Sequence, residues 1–346
     1  MKTDLTHHPD LIECLAAGTL PDDPFASGRV MTDAPVVVSL KGAIQDALLH
    51  STVNKKEKLS QFVPTGIACI DNRLGIGLEK GTSSIIGGFT STGKSTLALG
   101  IANSNIRRGN SSLIFSVEDS SRLYGRRMLS MRTGIPSKVF RESSLSPSQI
   151  ADCKTVLDTA EDTPFFINAK LWLPSKIALA MKWATRYYPS INLVIIDYMQ
   201  ELHHGSENKA KGMEDAMSML RNTVSELDVA GIFLSQLTGD DKEIPGTYNM
   251  RDSKSISNAA ENIILLWRNN SGEQKYVPQR HGGGITVPDG GTLAIMSKIK
   301  DGGNTGSELL EFNPKTQQFV DPDAGDYSGF SSGFDEKEEY FDDGFR

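Results

Sequence analysis

Eight residues of this 346-residue chain have the types and spacing that phosphate chemistry demands: Gly88-Phe89-Thr90-Ser91-Thr92-Gly93-Lys94-Ser95. In the pattern G-x-x-x-x-G-K-[ST], successive backbone N–H groups wrap the phosphates of a nucleotide, the Lys neutralises the terminal ones, and the hydroxyl ligates magnesium. Gly88, Thr90, Ser91, Thr92, Gly93, Lys94, Ser95 and Thr96 are therefore the expected nucleotide-binding residues. A glycine-rich loop can match such a pattern by chance, so the flanks decide. Ser83-Ser84-Ile85-Ile86 has the character of a buried strand entering the loop. Thr96-Leu97-Ala98-Leu99-Gly100-Ile101-Ala102 has that of an apolar helix leaving it, its N-terminus turned to the phosphates. This context predicts binding and hydrolysis of ATP or another nucleoside triphosphate, with Mg2+.

In an open parallel sheet, ligands lie beyond the carboxyl ends of the strands, so the residue after each candidate strand is the next place to look for chemistry. Glu118 and Asp119 follow the apolar run 113–117, Asp197 follows 193–196, and Gln236 follows 232–234 and Ser235. Asp197 is placed to hold the magnesium that bridges the last two phosphates; the competing role is to cap a following helix. Glu118 is placed to orient and deprotonate the attacking water, and so is Asp119, while both acids would also suit the start of a helix. Gln236 could sense the γ-phosphate by hydrogen bonding, or simply be a polar strand end satisfied by backbone.

The elements that must position these residues follow from the hydrophobic pattern. From Pro64 to about Val320, short apolar runs alternate with helical segments, which predicts an α/β fold with a mostly parallel sheet flanked by helices. Further candidate strands are 263–267 and 293–296, and a helical region rich in Arg and Met follows Val117. The stretch 278–291, with Gly282-Gly283-Gly284 and Asp289-Gly290-Gly291, has the composition of a loop. The first sixty residues form an arm without sustained periodicity up to about Asp33, then an amphipathic stretch with Leu40, Ile44, Ala47 and Leu48 on one helical face, then the charged linker Lys55-Lys56-Glu57-Lys58. A helix this short needs a surface to pack on, either its own core or a neighbouring subunit. The expected organisation is an arm with a linker helix (1–60), a catalytic body (61–320) and a tail (321–346).

The net charge of −7 is concentrated at one end. Residues 321–346 carry nine acids against Lys337 and Arg346, interleaved with Phe330, Phe334, Tyr340, Phe341 and Phe345 among Gly and Ser, so that residues 1–320 are neutral overall. Such a tail has too little apolar content to form a core and is expected to be disordered. Any contact with nucleic acid must come from local basic positions rather than a globally basic surface. Cys14, Cys69 and Cys153, widely spaced and odd in number, support neither a disulfide framework nor a zinc site, and His203-His204 fit a polar loop better than a metal. No run resembles a membrane span or a secretory leader, so a cytoplasmic setting is expected.

The ordered motifs resemble the C-terminal motor domain of DnaB-type replicative helicases, a RecA-like P-loop ATPase fold that also appears in phage helicase-primases. The resemblance runs through Pro64-Thr65-Gly66-Ile67 with Ile70-Asp71, the phosphate loop, and Leu113-Ile114-Phe115-Ser116-Val117-Glu118. It continues in Ile195-Ile196-Asp197-Tyr198-Met199-Gln200, Leu234-Ser235-Gln236-Leu237, Arg251-Asp252-Ser253-Lys254-Ser255-Ile256, and Lys298-Ile299-Lys300 followed by Asn304-Thr305-Gly306. It implies that Lys94 and Ser95 bind phosphate and magnesium, that Asp197 assists the metal, that Glu118 is the catalytic base and that Gln236 couples nucleotide state to DNA-facing loops. It further implies a six-subunit ring with nucleotides between subunits. Single-stranded DNA would be gripped in the central channel by the loop containing Arg251, Asp252 and Lys254, with 5′ to 3′ translocation and unwinding of forked DNA.

Two departures from the family pattern stand out. The trans-acting cation is usually an Arg two residues after a Lys, whereas this chain has Lys298 and Lys300, point charges without the bidentate fork, so another residue such as Arg280 could be required. Sixty residues also leave no room for the globular domain that usually precedes the motor or for a primase module, which suggests a stand-alone motor of a phage or plasmid replicon in a bacterial cytoplasm. The acidic aromatic tail could dock on a polymerase, primase or loader, or simply solubilise the chain. A recombination ATPase that coats DNA as a filament and a non-unwinding DNA-binding regulatory ATPase are the competing readings.

Overall fold

A computed structural model of the chain describes residues 55–160, 165–170, 172–197, 199–201, 209–250, 260–279, 283–300 and 303–322, with positions 40, 41 and 44. In chain order the first half contains α1 (Lys55–Ser60), β1 (Phe62–Val63), α2 (Ala68–Leu74), β2 (Leu78–Glu79), β3 (Ser83–Gly88), α3 (Lys94–Arg107), β4 (Ser111–Ser116), α4 (Ser121–Thr133), α5 (Ser137–Arg141), α6 (Pro147–Asp158) and β5 (Phe166–Asn168). The second half contains α7 (Pro174–Tyr187), β6 (Ile191–Asp197), α8 (Lys209–Glu226), β7 (Ala230–Gln236), β8 (Asn262–Arg268), β9 (Lys275–Pro278), β10 (Gly284–Val287), β11 (Thr292–Lys298), β12 (Gly306–Asn313) and β13 (Gln318–Val320).

Apolar runs such as Leu193-Val194-Ile195-Ile196 form central strands because their residues can be buried alternately on both faces of a sheet covered by helices. The division is regular. Ile85, Leu113, Phe115, Val194, Ile196, Phe233, Ile263 and Leu265 face one core, which Ile177 and Met181 of α7 and Met213, Met217 and Leu220 of α8 complete. Ile86, Ile114, Leu193, Ile195, Ile232, Leu234, Ile264 and Leu266 face the other, filled by Leu97, Leu99 and Ile101 of α3, Tyr124 and Met131 of α4, and Ile70 and Leu74 of α2.

The nine-stranded sheet has the order β13-β12-β11-β8-β3-β7-β6-β4-β5. From β8 to β5 every pairing is parallel. From β8 outward to β13 every pairing is antiparallel. The mostly parallel sheet expected from the sequence is thus present with an antiparallel edge. All six apolar runs named above are strands, while β5, β12 and β13 add pairings that the apolar pattern had not singled out.

The segment 278–291 is not a simple loop. Gly284–Val287 pairs with Lys275–Pro278 as an antiparallel hairpin, with Ile285 opposite Val277, and Val277 and Val287 are buried in the first core. Glycines at the turn and beyond β10 conceal a four-residue strand whose β-branched residues cover the sheet. At the other end, the carboxylate of Asp321 accepts the N–H groups of Ala68 (2.7 Å) and Cys69 (2.9 Å), so it satisfies the exposed N-terminus of α2. Asp321, counted with the tail above, is therefore bonded to the body. Leu40, Lys41 and Ile44 are helical, with Leu40 and Ile44 exposed. The rest of residues 1–54, and the tail from 323, lie outside the described residues.

Candidate active site

Residues 89–93 connect β3 to α3. Ser91 (φ 63°) and Gly93 (φ 98°) are both left-handed, the kind of backbone from which anion-binding nests are built, here at the N-terminus of α3. A Cβ on Gly93 would stand 2.7 Å from two ring carbons of Phe319 of β13, so the edge strand supports the loop from beneath. The loop is also tied internally: Thr92 Oγ1 donates to Phe89 O at 2.8 Å, and Lys94 Nζ donates to Gly88 O and Phe89 O, each at 2.9 Å.

Above the loop lies a cavity of about 530 Å³, walled by residues 90–96 together with Glu118, Asp119, Asp197 and Gln236. Strands β3, β4, β6 and β7 deliver these groups to one place because they are parallel neighbours ending at the same level, with Gly88 beside Gln236 and Ser116 beside Asp197. Arg127, Arg268, Thr292, Phe312 and Phe319 complete the wall, and the Phe312 and Phe319 rings touch at 5.2 Å. Of these, Arg268 was within reach of the strand-end rule, since it directly follows Ile263–Trp267. Phe312 and Phe319 come from edge strands with no strong apolar run.

Asp197 is buried, and its carboxylate accepts a hydrogen bond from the Tyr124 phenol, with the Ser95 hydroxyl close by. Burial raises its pKa, while the Ser95 hydroxyl, the Tyr124 phenol and the Lys94 ammonium pull it down. Lys94 is lowered by its own burial and raised by Asp197 and Glu118. Asp119 is occupied: it pairs with Arg127 at 3.3 Å and its N–H donates to Ser116 Oγ at 3.1 Å. Glu118 is exposed and makes no hydrogen bond or ion pair with a described residue. Gln236 Nε2 donates to Thr90 Oγ1 at 2.8 Å, and its backbone N–H donates to Gln200 Oε1 at 3.1 Å, while Gln200 Nε2 donates to Ser235 Oγ at 2.7 Å.

The residues present fit a hard divalent cation in one respect: the Ser95 hydroxyl and the Asp197 carboxylate, both oxygen donors, meet at the cavity wall. Among the described residues, no cluster of three His, Cys, Asp or Glu side chains could hold a metal alone. Further ligands would be phosphate oxygens and water.

Lys298 and Lys300 are not at this cavity. Lys298 is level with Ile263 and Ile85, three residues or about 10 Å down the strands from Gly88. Its ammonium donates to Ala260 O at 2.6 Å, and burial lowers its pKa while nearby Glu261 raises it. Glu261 itself accepts from Ser83 N and Oγ, each at 3.0 Å, and pairs with Arg221 at 3.2 Å. Lys300 is exposed. Arg251, Asp252 and Lys254, like Arg280 and His203-His204, lie outside the described residues.

The family model of the DnaB-like helicase C-terminal domain matches residues 63–321. The chain belongs to this family. A probable plasmid replicative DNA helicase of Chlamydia trachomatis is 26% identical over 265 residues, covering 74% of this chain and 54% of that protein. The replicative DNA helicase DnaB of Leifsonia xyli subsp. xyli is 26% identical over 242 residues, covering 65% of this chain and 52% of its own. The chain thus spans about half the length of the curated relatives it matches. Among solved structures, a DnaB-like replicative helicase described with its primase interactions superposes with a TM-score of 0.68 at 18% identity, over 82% of this chain and 68% of the other. A second solved structure, of an isolated ATPase domain, superposes with a TM-score of 0.66 at 20% identity, over 81% of this chain and 99% of that domain. The sheet and its flanking helices are those of a RecA-like DnaB motor domain. No helix of the described residues is long and apolar enough to cross a membrane.

Proposed function

We propose that this DnaB-family motor is an ATP-driven replicative DNA helicase that assembles as a homo-hexameric ring, translocates 5′ to 3′ on single-stranded DNA and unwinds forked duplex. The observation that carries the reading is the division of catalytic parts between two ends of the sheet. Lys94, Ser95, Glu118, Asp197 and Gln236 converge on one cavity, while Lys298 and Lys300 stand at the other end. A pocket and a cation so separated can act together only when a neighbouring copy brings its Lys298–Lys300 end to this cavity.

In that arrangement the N–H groups of the nest and Lys94 hold the β- and γ-phosphates, and Lys94 exchanges its two carbonyl partners for phosphate oxygens. Ser95 and Asp197 would hold Mg2+, which when bound would neutralise charge on the phosphates. Glu118, the carboxylate at the cavity that makes no hydrogen bond or ion pair among the described residues, takes a proton from the attacking water as the γ-phosphoryl leaves ADP. Lys300, with Lys298 or Arg280, supplies positive charge from the neighbour. Gln236, bonded to Thr90, signals the state of the phosphate through Gln200 and the backbone that leads on to 251–259. Arg251 and Lys254 in that segment contact the DNA phosphates through their side chains and Asp252 through its backbone N–H, a sequence-independent grip that weakens steeply with salt.

The proposed setting is a bacterial cytoplasm, with primase, polymerase or loader as partners through the acidic tail. Unwinding of a fluorescent forked DNA with ATP, alongside Lys94→Ala, tests the function. ATP-dependent strand separation lost in the variant supports it. DNA-stimulated hydrolysis without separation, even with replication partners added, would favour the regulatory ATPase, and continuous filaments on DNA the recombination ATPase.

A further inference from the structure

Tyr124 is an aromatic residue on α4 whose polar atom reaches the catalytic cluster. It is 2% exposed and its ring packs against Phe166 of β5 at 5.1 Å between centroids. The guanidinium of Arg127 lies 6.0 Å from the ring centroid, and that arginine is engaged by Asp119. Held on these sides, the ring has one direction for its hydroxyl, which donates to Oδ2 of Asp197.

We propose that Tyr124 is the positioning residue for the metal-holding carboxylate: its phenol fixes Asp197 in the orientation that accepts Mg2+ beside Ser95. The inference rests on the nucleotide-site reading above and assigns a task to a residue that reading does not use. The chemistry of the donor is the argument. Asp197 ends β6 with the Ser95 hydroxyl close to its carboxylate. The Ser95 hydroxyl must turn a lone pair to the metal when the site fills, so a second donor is needed to keep the carboxylate from rotating. A Lys or Arg there would hold Asp197 equally well but would cancel its charge and repel the cation. A phenol is neutral and donates one hydrogen bond, so it orients the carboxylate and leaves the negative charge for the metal. Arg127, the cation over the Tyr124 ring, is kept on Asp119 instead.

The test uses the full chain, a fluorescent ADP analogue and Mg2+ titration, with nucleotide affinity as the readout. In the unmodified protein, Mg2+ should tighten nucleotide binding. In Tyr124→Phe the Mg2+ concentration giving half the enhancement should rise about tenfold or more, the scale of a lost hydrogen bond to a charged group. Affinity measured in EDTA should stay within about twofold, because Tyr124 does not line the phosphate nest. Phe166→Leu, which loosens the ring but keeps the hydroxyl, should lower the melting temperature and leave the Mg2+ midpoint within about threefold.

Equal Mg2+ midpoints in Tyr124→Phe and the unmodified protein would overturn the assignment, as would a loss in EDTA equal to the loss in Mg2+. So would a matching midpoint shift in Phe166→Leu, which would make the effect one of packing. If the unmodified protein shows no Mg2+ enhancement at all, the failure lies with the nucleotide-site reading itself.

Discussion

Substituting Gly93 by Ala should damage the phosphate loop in two separable ways. The residue adopts φ 98°, a left-handed conformation that costs an L-residue roughly 1–2 kcal/mol. The new methyl would also stand 2.7 Å from Cε2 and Cζ of Phe319, which is 8% exposed and rests on Phe312 at 5.2 Å. Forcing such a ring aside in a packed core costs typically about 1–3 kcal/mol. The sum, about 2–5 kcal/mol, is a substantial fraction of the roughly 5–15 kcal/mol that holds a domain together. Urea unfolding followed by tryptophan fluorescence measures the loss as a shift in midpoint at constant slope. Fluorescent ADP binding measures whether the loop still closes on phosphate. Because the two costs have different sources, Phe319→Leu in the Gly93→Ala background should recover the clash and leave the backbone cost, a coupling of at least about 1 kcal/mol in a double-mutant cycle. An unchanged midpoint in Gly93→Ala, or strict additivity in the cycle, would refute the claim that β13 supports the nucleotide loop.

Other substitutions probe other parts of the account. Glu118→Gln should bind ATP with near-normal affinity yet lose at least about a hundredfold in turnover; normal hydrolysis would move the base to Asp119. Lys300→Ala should bind nucleotide normally but hydrolyse slowly, and mixing it with Lys94→Ala should restore part of the ATPase through interfaces that pair one intact pocket with one intact cation. Asp321→Ala should cost about 1 kcal/mol by leaving the first N–H groups of α2 uncapped, whereas deleting residues 323–346 should leave both stability and ATPase activity intact. Burial raises the Asp71 pKa to about 6, outweighing the N–H groups of Thr65 and Gly66. A carboxyl that holds its proton more tightly when folded contributes stability that is full below pH about 4 and lost as pH rises through about 6. Asp71→Asn should therefore remove a stability decline on the order of 3 kcal/mol between those limits, measured as urea midpoints against pH.

The parallel body of the sheet and the groups at its carboxyl ends are legible in the sequence because burial on both faces demands continuous apolar runs, and the first polar residue after each run marks the strand end. Asp197 and Gln236 could be located that way, and Arg268 could have been by the same rule. The antiparallel edge is less legible, since Gly306–Asn313 mixes Glu with Leu and β13 has three residues, too few for a period. Phe312, Phe319 and the support they give the loop go with it. Tyr124 was hidden for a different reason. A helix pattern marks it as core, which it is, and only the three-dimensional neighbour reveals that its hydroxyl meets a carboxylate 73 residues away in the chain. The glycine-flanked strand β10 shows the converse, with turn residues outweighing a short β-branched run.

In the proposed ring, the cavity above the phosphate loop is half of a site, completed by the far end of another copy. Electron cryomicroscopy of the protein with a non-hydrolysable ATP analogue, Mg2+ and single-stranded DNA addresses it directly. The expected result is a six-membered ring with each nucleotide between two subunits: Lys94, Ser95 and Asp197 on one side, and the neighbour's Lys298–Lys300 end at the γ-phosphate. A nucleotide enclosed by a single subunit, with every Lys298 and Lys300 remote from phosphate, would contradict it.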